Sequence, residues 1–169
     1  MTAPSARAKS GADLRIRPAG PADLDAIDAI ERLSFQGDRF ARRNLGRLLK
    51  SASVCVLIAT AGARPAGYAA LLFRKGSTRA RLYSIAVDPQ ARGRGVADAL
   101  VSAAAACALR RGADRIRLEM RPSNKAAQRL YERAGFTVFD RKPGYYEDGE
   151  DAVRMERRLS RMKAGGRGA

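Results

Sequence analysis

The segment Ile85-Ala86-Val87-Asp88-Pro89-Gln90-Ala91-Arg92-Gly93-Arg94-Gly95-Val96-Ala97 reads as a strand end, a short glycine-rich loop and the first turn of a helix. Such a junction gathers several free backbone N–H groups at one point. With the helix dipole behind them, they suit a phosphate or pyrophosphate.

The flanking sequence extends this pattern. Arg79–Val87 has strand character, and a helix is predicted from Gly95 to Arg111, with Val96, Leu100, Ala103 and Cys107 as its apolar stripe. Arg115–Arg121 alternates, with Ile116, Leu118 and Met120 on one face and Arg117, Glu119 and Arg121 on the other. Ser123-Asn124 caps a helix running through Ala134, and Phe136–Arg141 and Ala152–Leu159 are the last strands. Upstream lie a strand at Leu14–Arg17, a helix at Ala22–Phe35 with Leu24, Ile27, Ile30 and Leu33 at near-helical spacing, and a short helix at Phe40–Leu49. Strands at Val54–Thr60 and Ala66–Phe73 complete the set. The order predicts an α/β fold in which the central strand–loop–helix–strand unit is a parallel right-handed crossover.

The chain has 169 residues, enough for one domain with one real core. Residues 1–12 are expected to be a disordered arm, 13–159 the folded domain, and 160–169 a disordered basic tail. No eighteen-residue apolar run and no signal-like apolar core occur, so a cytoplasmic location without membrane insertion is expected. There is no histidine, which excludes Ser-His-Asp and Cys-His catalysis and His-based metal sites. The two cysteines, Cys55 and Cys107, lie far apart in sequence and are read as buried reduced thiols, and no metal is expected. Net charge is +16, of which +12 falls on residues 14–159. A basic body suits nucleic acid, ribosomes or anionic cofactors. An arginine- and alanine-rich composition accounts for the same charge without function, and both readings stand.

Among phosphate loops, a Walker loop fails because no Gly-Lys-Ser/Thr is present after a suitable glycine. A dinucleotide fingerprint fails because Gly93-Arg94-Gly95 is followed by Val96, Ala97 and Asp98, without the third glycine. Arg92-Gly93-Arg94-Gly95-Val96-Ala97 matches Arg/Gln-x-x-Gly-x-Gly/Ala, and so resembles the acetyl-CoA pyrophosphate loop of the GNAT superfamily of N-acetyltransferases. Val87-Asp88-Pro89, Asn124 and Leu130-Tyr131-Glu132-Arg133-Ala134-Gly135-Phe136 resemble further blocks of that family, in its order and spacing. The resemblance covers Leu14 to Leu159. It implies a mixed, mostly antiparallel twisted sheet with a central parallel strand pair and about four flanking helices.

Within the superfamily, Leu118-Glu119-Met120-Arg121-Pro122-Ser123-Asn124 and Gly144-Tyr145-Tyr146 with Gly149-Glu150-Asp151-Ala152 resemble the RimI-type protein N-alpha-acetyltransferases, which act on ribosomal-protein alanine. One departure is clear. That type carries a Pro-Trp pair between its first two helices, in a loop that helps form the peptide site. Here the loop is Phe35-Gln36-Gly37-Asp38-Arg39, and the chain has no tryptophan.

The resemblance implies acetyl-CoA as donor and direct attack by the acceptor amine in a ternary complex. The lack of any Cys-His pair agrees with that. It implies Glu119 as general base and Tyr131 as general acid for the CoA thiolate. The bland readings are an ion pair between Glu119 and Arg117 or Arg121 on its own strand face, and a structural Tyr131 on an amphipathic helix. The cofactor is expected along the backbone of Ile85, Ala86 and Val87, with the Val87 N–H as oxyanion donor, and at Arg92, Gly93, Arg94, Gly95, Val96 and Ala97. Tyr131 and Asn124 are expected to touch it too, although Asn124 also reads as a plain helix cap. Arg92 and Arg94 either add charge there or are merely solvated. Phe35, Asp38, Arg39, Tyr145 and Tyr146 are expected to line the acceptor side. Glu147, Asp148, Glu150 and Asp151 read first as an exposed hairpin turn, and second as a seat for a cationic acceptor. The expected acceptor is a protein or peptide N-terminus, with a ribosomal or other nucleic-acid-associated protein as one partner. A small-molecule amine, a lysine side chain and a catalytically idle RNA- or ribosome-binding module are the alternatives.

Overall fold

The computed structural model describes residues 13–35 and 37–160; the expected arm and nearly all of the expected tail lie outside them. Seven strands form one sheet in the order β1-β2-β3-β4-β5-β7-β6. They are β1 (Leu14–Pro18), β2 (Val54–Ala61), β3 (Arg64–Phe73), β4 (Arg79–Val87), β5 (Arg115–Met120), β6 (Thr137–Lys142) and β7 (Ala152–Arg158). Only β4 and β5 are parallel, and every other neighbouring pair is antiparallel. Four helices flank the sheet: α1 (Leu24–Ser34), α2 (Arg42–Lys50), α3 (Val96–Arg110) and α4 (Lys125–Arg133). The expected mixed sheet with one central parallel pair is therefore present.

Each face of the sheet carries its own core. On one face, α1 and α2 bury Ile27, Ile30 and Leu45 against Val56, Ile58, Tyr68, Ala70 and Ala86. On the other, α3 and α4 pack on β2 to β5 and β7, with Leu57, Leu71, Leu82, Leu118 and Met155 among the buried residues. The alanines of α3 explain its close seat: Ala104 and Ala108 are fully buried and let the helix backbone approach β3.

Two sequence expectations change. The sequence spacing puts Leu33 on the inward stripe of α1, yet it is 61% exposed. The face that carries Ile27 and Ile30 continues through Glu31, one step along the helix, and Glu31 is fully buried. The stripe of α3 is also wider than expected, since Val101, Ala105 and Ala108 join Val96, Leu100 and Cys107 in the core.

Gly67 positions the junction between strand and helix. It sits opposite Val87 in the β3–β4 ladder. A Cβ there would lie 2.8 Å from the Ala86 carbonyl oxygen, 3.1 Å from Leu100 and 3.2 Å from Val96. Only glycine lets β3, the end of β4 and the start of α3 meet this closely.

Candidate active site

The site is built on the parting of β4 and β5. The two strands pair only at Arg79–Arg81 with Arg115–Arg117, after which β4 runs on to Val87 and β5 to Met120 without bonding each other. Tyr83 is an extra residue in the β3–β4 ladder, where Ala70 pairs Ser84 and Leu71 pairs Leu82. Such a bulge bends the strand and locally increases its twist, here where β4 leaves its neighbour.

The ladder also shows which backbone groups face the gap. Asp88 N–H donates to the Ala66 carbonyl at 2.8 Å. That bond makes Gly67–Val87 a non-hydrogen-bonded pair, and by alternation Tyr68–Ala86 a bonded pair and Ala69–Ile85 again a non-bonded one. The N–H groups of Val87 and Ile85 therefore point away from β3, into the gap. Ser34 Oγ donates to the Val87 carbonyl at 3.1 Å, and the Val87 N–H has no acceptor among the described residues. Ala86 differs from the sequence expectation. Its N–H belongs to the β3 ladder and its side chain to the α1–α2 core, so it offers the gap neither group.

Beyond Val87, Asp88 accepts from the Gln90 N–H at 2.9 Å and caps a short 3-10 turn, Pro89–Ala91. Gly93 and Gly95 both take φ of +75°, and nothing stands within 4 Å of a Cβ placed on either. Gly95 is the N-cap of α3. Among the described residues, no N–H from Gly93 to Ala97 has a protein acceptor. Arg92 and Arg94 are exposed beside this row of donors, and neither forms an ion pair with a described residue. Val96 differs: its side chain is buried in the core. A positive helix end with unpartnered donors and two cations fits a pyrophosphate.

Glu119 and Tyr131 lie on opposite sides of the sheet. Leu118 and Tyr131 belong to the core under α3 and α4. Glu119 alternates with Leu118 and so faces the side of α1 and α2. Its side chain is 12% exposed and forms ion pairs with Arg81 on β4 at 3.0 Å and Arg154 on β7 at 3.6 Å. The same-strand pairing with Arg117 or Arg121 does not form. Arg117 turns to Glu156 and Arg121 to Asp38 and Asp148, because the nearest carboxylates of those arginines lie on neighbouring elements. Arg154 Nε is the one buried side-chain polar atom without a hydrogen-bond partner among the described residues.

Tyr131 is 7% exposed and packs edge-on against Phe136, with ring centroids 5.7 Å apart. Burial first, and then the neighbouring Tyr146, raise its phenol above the ordinary value. Tyr146 is itself pushed up to about 12, mainly by burial and then by Tyr145, with Asp38 and Glu119 adding to it and Arg121 opposing. Tyr146 therefore lies within electrostatic reach of both Tyr131 and Glu119. Asn124 Oδ1 accepts from the Ala127 N–H at 3.0 Å, so it caps α4 and keeps only its amide NH₂ for another partner.

Of the residues expected on the acceptor side, Asp38 and Tyr146 meet at Arg121. Its guanidinium donates to both Asp38 oxygens at 2.7 and 2.9 Å and to both Asp148 oxygens at 2.8 and 3.0 Å. It also lies over the Tyr146 ring at 4.0 Å. The loop after α1 and the loop after β6 are thereby joined at one side chain. Glu150 accepts from Ser123 Oγ at 2.6 Å, and Asp151 from the Gly144 N–H at 2.9 Å. Three of the four acidic residues of that loop thus shape it or hold Arg121. Tyr145 accepts from Arg81 at 3.1 Å. Phe35 packs into the α1–α2 core, whereas Arg39 is exposed and has no ion pair with a described residue.

Glu31 escaped the sequence reading. Its carboxylate accepts from the Tyr68 hydroxyl, from Ser84 Oγ at 3.4 Å and from the Phe40 N–H at 3.1 Å. Phe40 in turn stacks on Tyr83, the bulged residue of β4, at 4.9 Å. Burial raises the Glu31 carboxyl above its usual value, and the three hydrogen bonds oppose that. The available signal was a glutamate four residues after Ile27, on the face of α1 that the spacing turns inward.

A cavity of about 180 Å³ lies beside the loop among Arg64, Pro65, Asp88, Gln90 and Arg94 rather than in the gap. Among the described residues there is no cluster of metal-ligating side chains, and no helix is long and apolar enough to cross a membrane.

The model of the acetyltransferase (GNAT) family matches residues 24–136. An uncharacterized N-acetyltransferase of Methanocaldococcus jannaschii is 34% identical over 157 residues, 88% of this chain and 94% of that protein. An N-alpha-acetyltransferase of Sulfurisphaera tokodaii is 31% identical over 162 residues, 89% of this chain and 96% of that one. The crystal structure of the ribosomal-protein-S18-alanine N-acetyltransferase from Escherichia coli superposes with a TM-score of 0.79 at 27% identity, covering 90% of this chain and 98% of that one. Sequence, sheet order and loop agree: the chain is an acyltransferase that belongs to the GNAT acetyltransferase family.

Proposed function

We propose that the protein transfers an acetyl group from acetyl-CoA to the alpha-amine of a protein or peptide N-terminus. The observation that carries this reading is the parting of β4 and β5, with the Ile85 and Val87 N–H groups turned into the gap, Glu119 beside it on one face of the sheet and Tyr131 in the core of the other. The resemblance to an N-alpha-acetyltransferase over 89% of the chain, and to a ribosomal-protein alanine N-acetyltransferase over 90%, supports the acceptor class.

Gly93 to Ala97, with Arg92 and Arg94, hold the pyrophosphate, and the free N–H groups of Ile85 and Val87 hold the chain of the cofactor along β4. When bound, acetyl-CoA supplies an acetyl group activated as a thioester. The Val87 N–H donates to the acetyl oxygen and stabilises the charge that develops there. Glu119, paired with Arg81 and Arg154, accepts the proton of the incoming amine, directly or through one water. Tyr131 keeps its proton at neutral pH because burial raises its phenol, and delivers that proton to the departing sulfur. No residue is acylated: the cysteines lie in the core under α3, and no base accompanies them. Asp38, Tyr145 and Tyr146, tied together through Arg121 and Arg81, frame the entry of the amine on the face of Glu119.

The test is CoA release with peptides beginning in free Ala, Ser, Met or Glu, beside N-blocked lysine peptides. Turnover with free N-termini alone is expected. Turnover on blocked lysine peptides alone would overturn the acceptor assignment. RNA binding without any turnover would favour an idle binding module.

A further inference from the structure

The chain has two cysteines, 52 positions apart, and the fold brings them together. Cys55 lies on β2 and Cys107 near the end of α3, both in the core where the helix seats on the sheet. Their sulfur atoms are 2.8 Å apart. That is inside the ~3.5–4.0 Å at which non-bonded heavy atoms pack best, and within ~1 Å of a covalent S–S bond. We propose that Cys55 and Cys107 are a redox pair that closes to a disulfide when the protein meets a peroxide. The inference rests on the fold alone and is independent of the acceptor assigned above.

The surroundings favour one thiol as the attacking group. The contact to Cys55, then Arg111 and Arg110, hold Cys107 low, whereas the same contact and burial hold Cys55 high. Arg111, at the C-terminus of α3, lies over Phe73 at 4.7 Å and donates to the Ala52 carbonyl at 3.2 Å. The Cys107 thiolate attacks hydrogen peroxide, the O–O bond breaks, and sulfenic acid and hydroxide result. The Cys55 thiol then attacks that sulfur, the S–O bond breaks, and a second hydroxide leaves. With the two thiol protons the products are one disulfide and two waters. Thiol reductants reverse the bond. The pair sits roughly 16 Å along α3 from the pyrophosphate loop, so closing it ties β2 to α3 without altering the loop.

The test uses the full chain, reduced and then treated with hydrogen peroxide, denatured in iodoacetamide and weighed intact. The expected product is a monomer lighter by ~2 Da with no alkylated cysteine, and a non-reduced digest that joins the Cys55 and Cys107 peptides. The oxidised protein should melt at a higher temperature than the reduced one, and Cys55→Ala and Cys107→Ala should each abolish that difference. Two alkylated cysteines after treatment, or separate sulfinic acids on each, would overturn the proposal. So would cross-linking between chains in place of the internal bond.

Discussion

The Glu119 carboxylate and the Arg81 guanidinium meet at 3.0 Å beside the line where β4 and β5 part. Arg81 is the last residue of β4 that pairs with β5, and Glu119 stands two residues past the last paired residue of β5. Arg81 also donates to Tyr145 at 3.1 Å, so it fixes the carboxylate and the neighbouring loop together. Arg81→Met should therefore lower kcat/KM by loosening the placement of Glu119. Parental kcat/KM would show that Arg81 does not position the base. Glu119→Gln should slow turnover by ~10²–10⁴-fold. The loss should shrink as pH approaches the ~8 at which an N-terminal amine sheds its own proton. A loss uniform across pH would argue against a base at this position.

Tyr131→Phe removes the hydroxyl and keeps the packing against Phe136. The expected result is a kcat lower by ~10²-fold or more with acetyl-CoA affinity within about two-fold of the parent, read by single-turnover rates and calorimetry. Parental kcat would remove Tyr131 from the proton path.

Gly67→Ala places a methyl group 2.8 Å from the Ala86 carbonyl. Backbone must move where β4 meets α3, and overpacking of this kind costs about 1–3 kcal/mol. The variant should melt earlier and bind acetyl-CoA more weakly than Gly20→Ala, where φ is −127° and nothing lies within 4 Å of the added Cβ. Equal melting of the two variants would show that this approach is not tight.

Glu31 gives stability a pH dependence of known sign. Burial holds its folded-state carboxyl above the ordinary value of 4.5, so the folded protein binds that proton more tightly than the unfolded chain does. The contribution is complete below the ordinary value and is lost as pH rises through the folded one. Glu31→Gln should flatten that decline, measured by urea unfolding from about pH 4 to about pH 8. Glu31→Ala strands the Tyr68 hydroxyl and the Phe40 N–H and should cost roughly 2–5 kcal/mol. An unchanged pH slope in Glu31→Gln would contradict the assignment.

The sequence carried most of the fold, because each element has a local signature. Alternation in β5, Gly95 ahead of α3 and Asn124 ahead of α4 all depend on neighbours close in the chain. The loop glycines were legible for the same reason. What escaped depends on register and long-range approach. Leu33 and Glu31 exchange places because the inward face of α1 is set by how the helix rolls on β3, which hydrophobicity alone does not reveal. The partners of Glu119 lie on β4 and β7, and the hub at Arg121 joins loops 110 residues apart, Asp38 and Asp148. The cysteine pair likewise required the seat of α3 on β2.

The most direct test of the account uses one peptide that carries both a free N-terminal amine and an internal lysine. After incubation with acetyl-CoA and enzyme, fragmentation mass spectrometry locates the acetyl group. The account predicts a single acetyl on the N-terminal amine and none in the Glu119→Gln, Tyr131→Phe double variant over the same interval. Acetylation of the lysine with the N-terminus left free would contradict it.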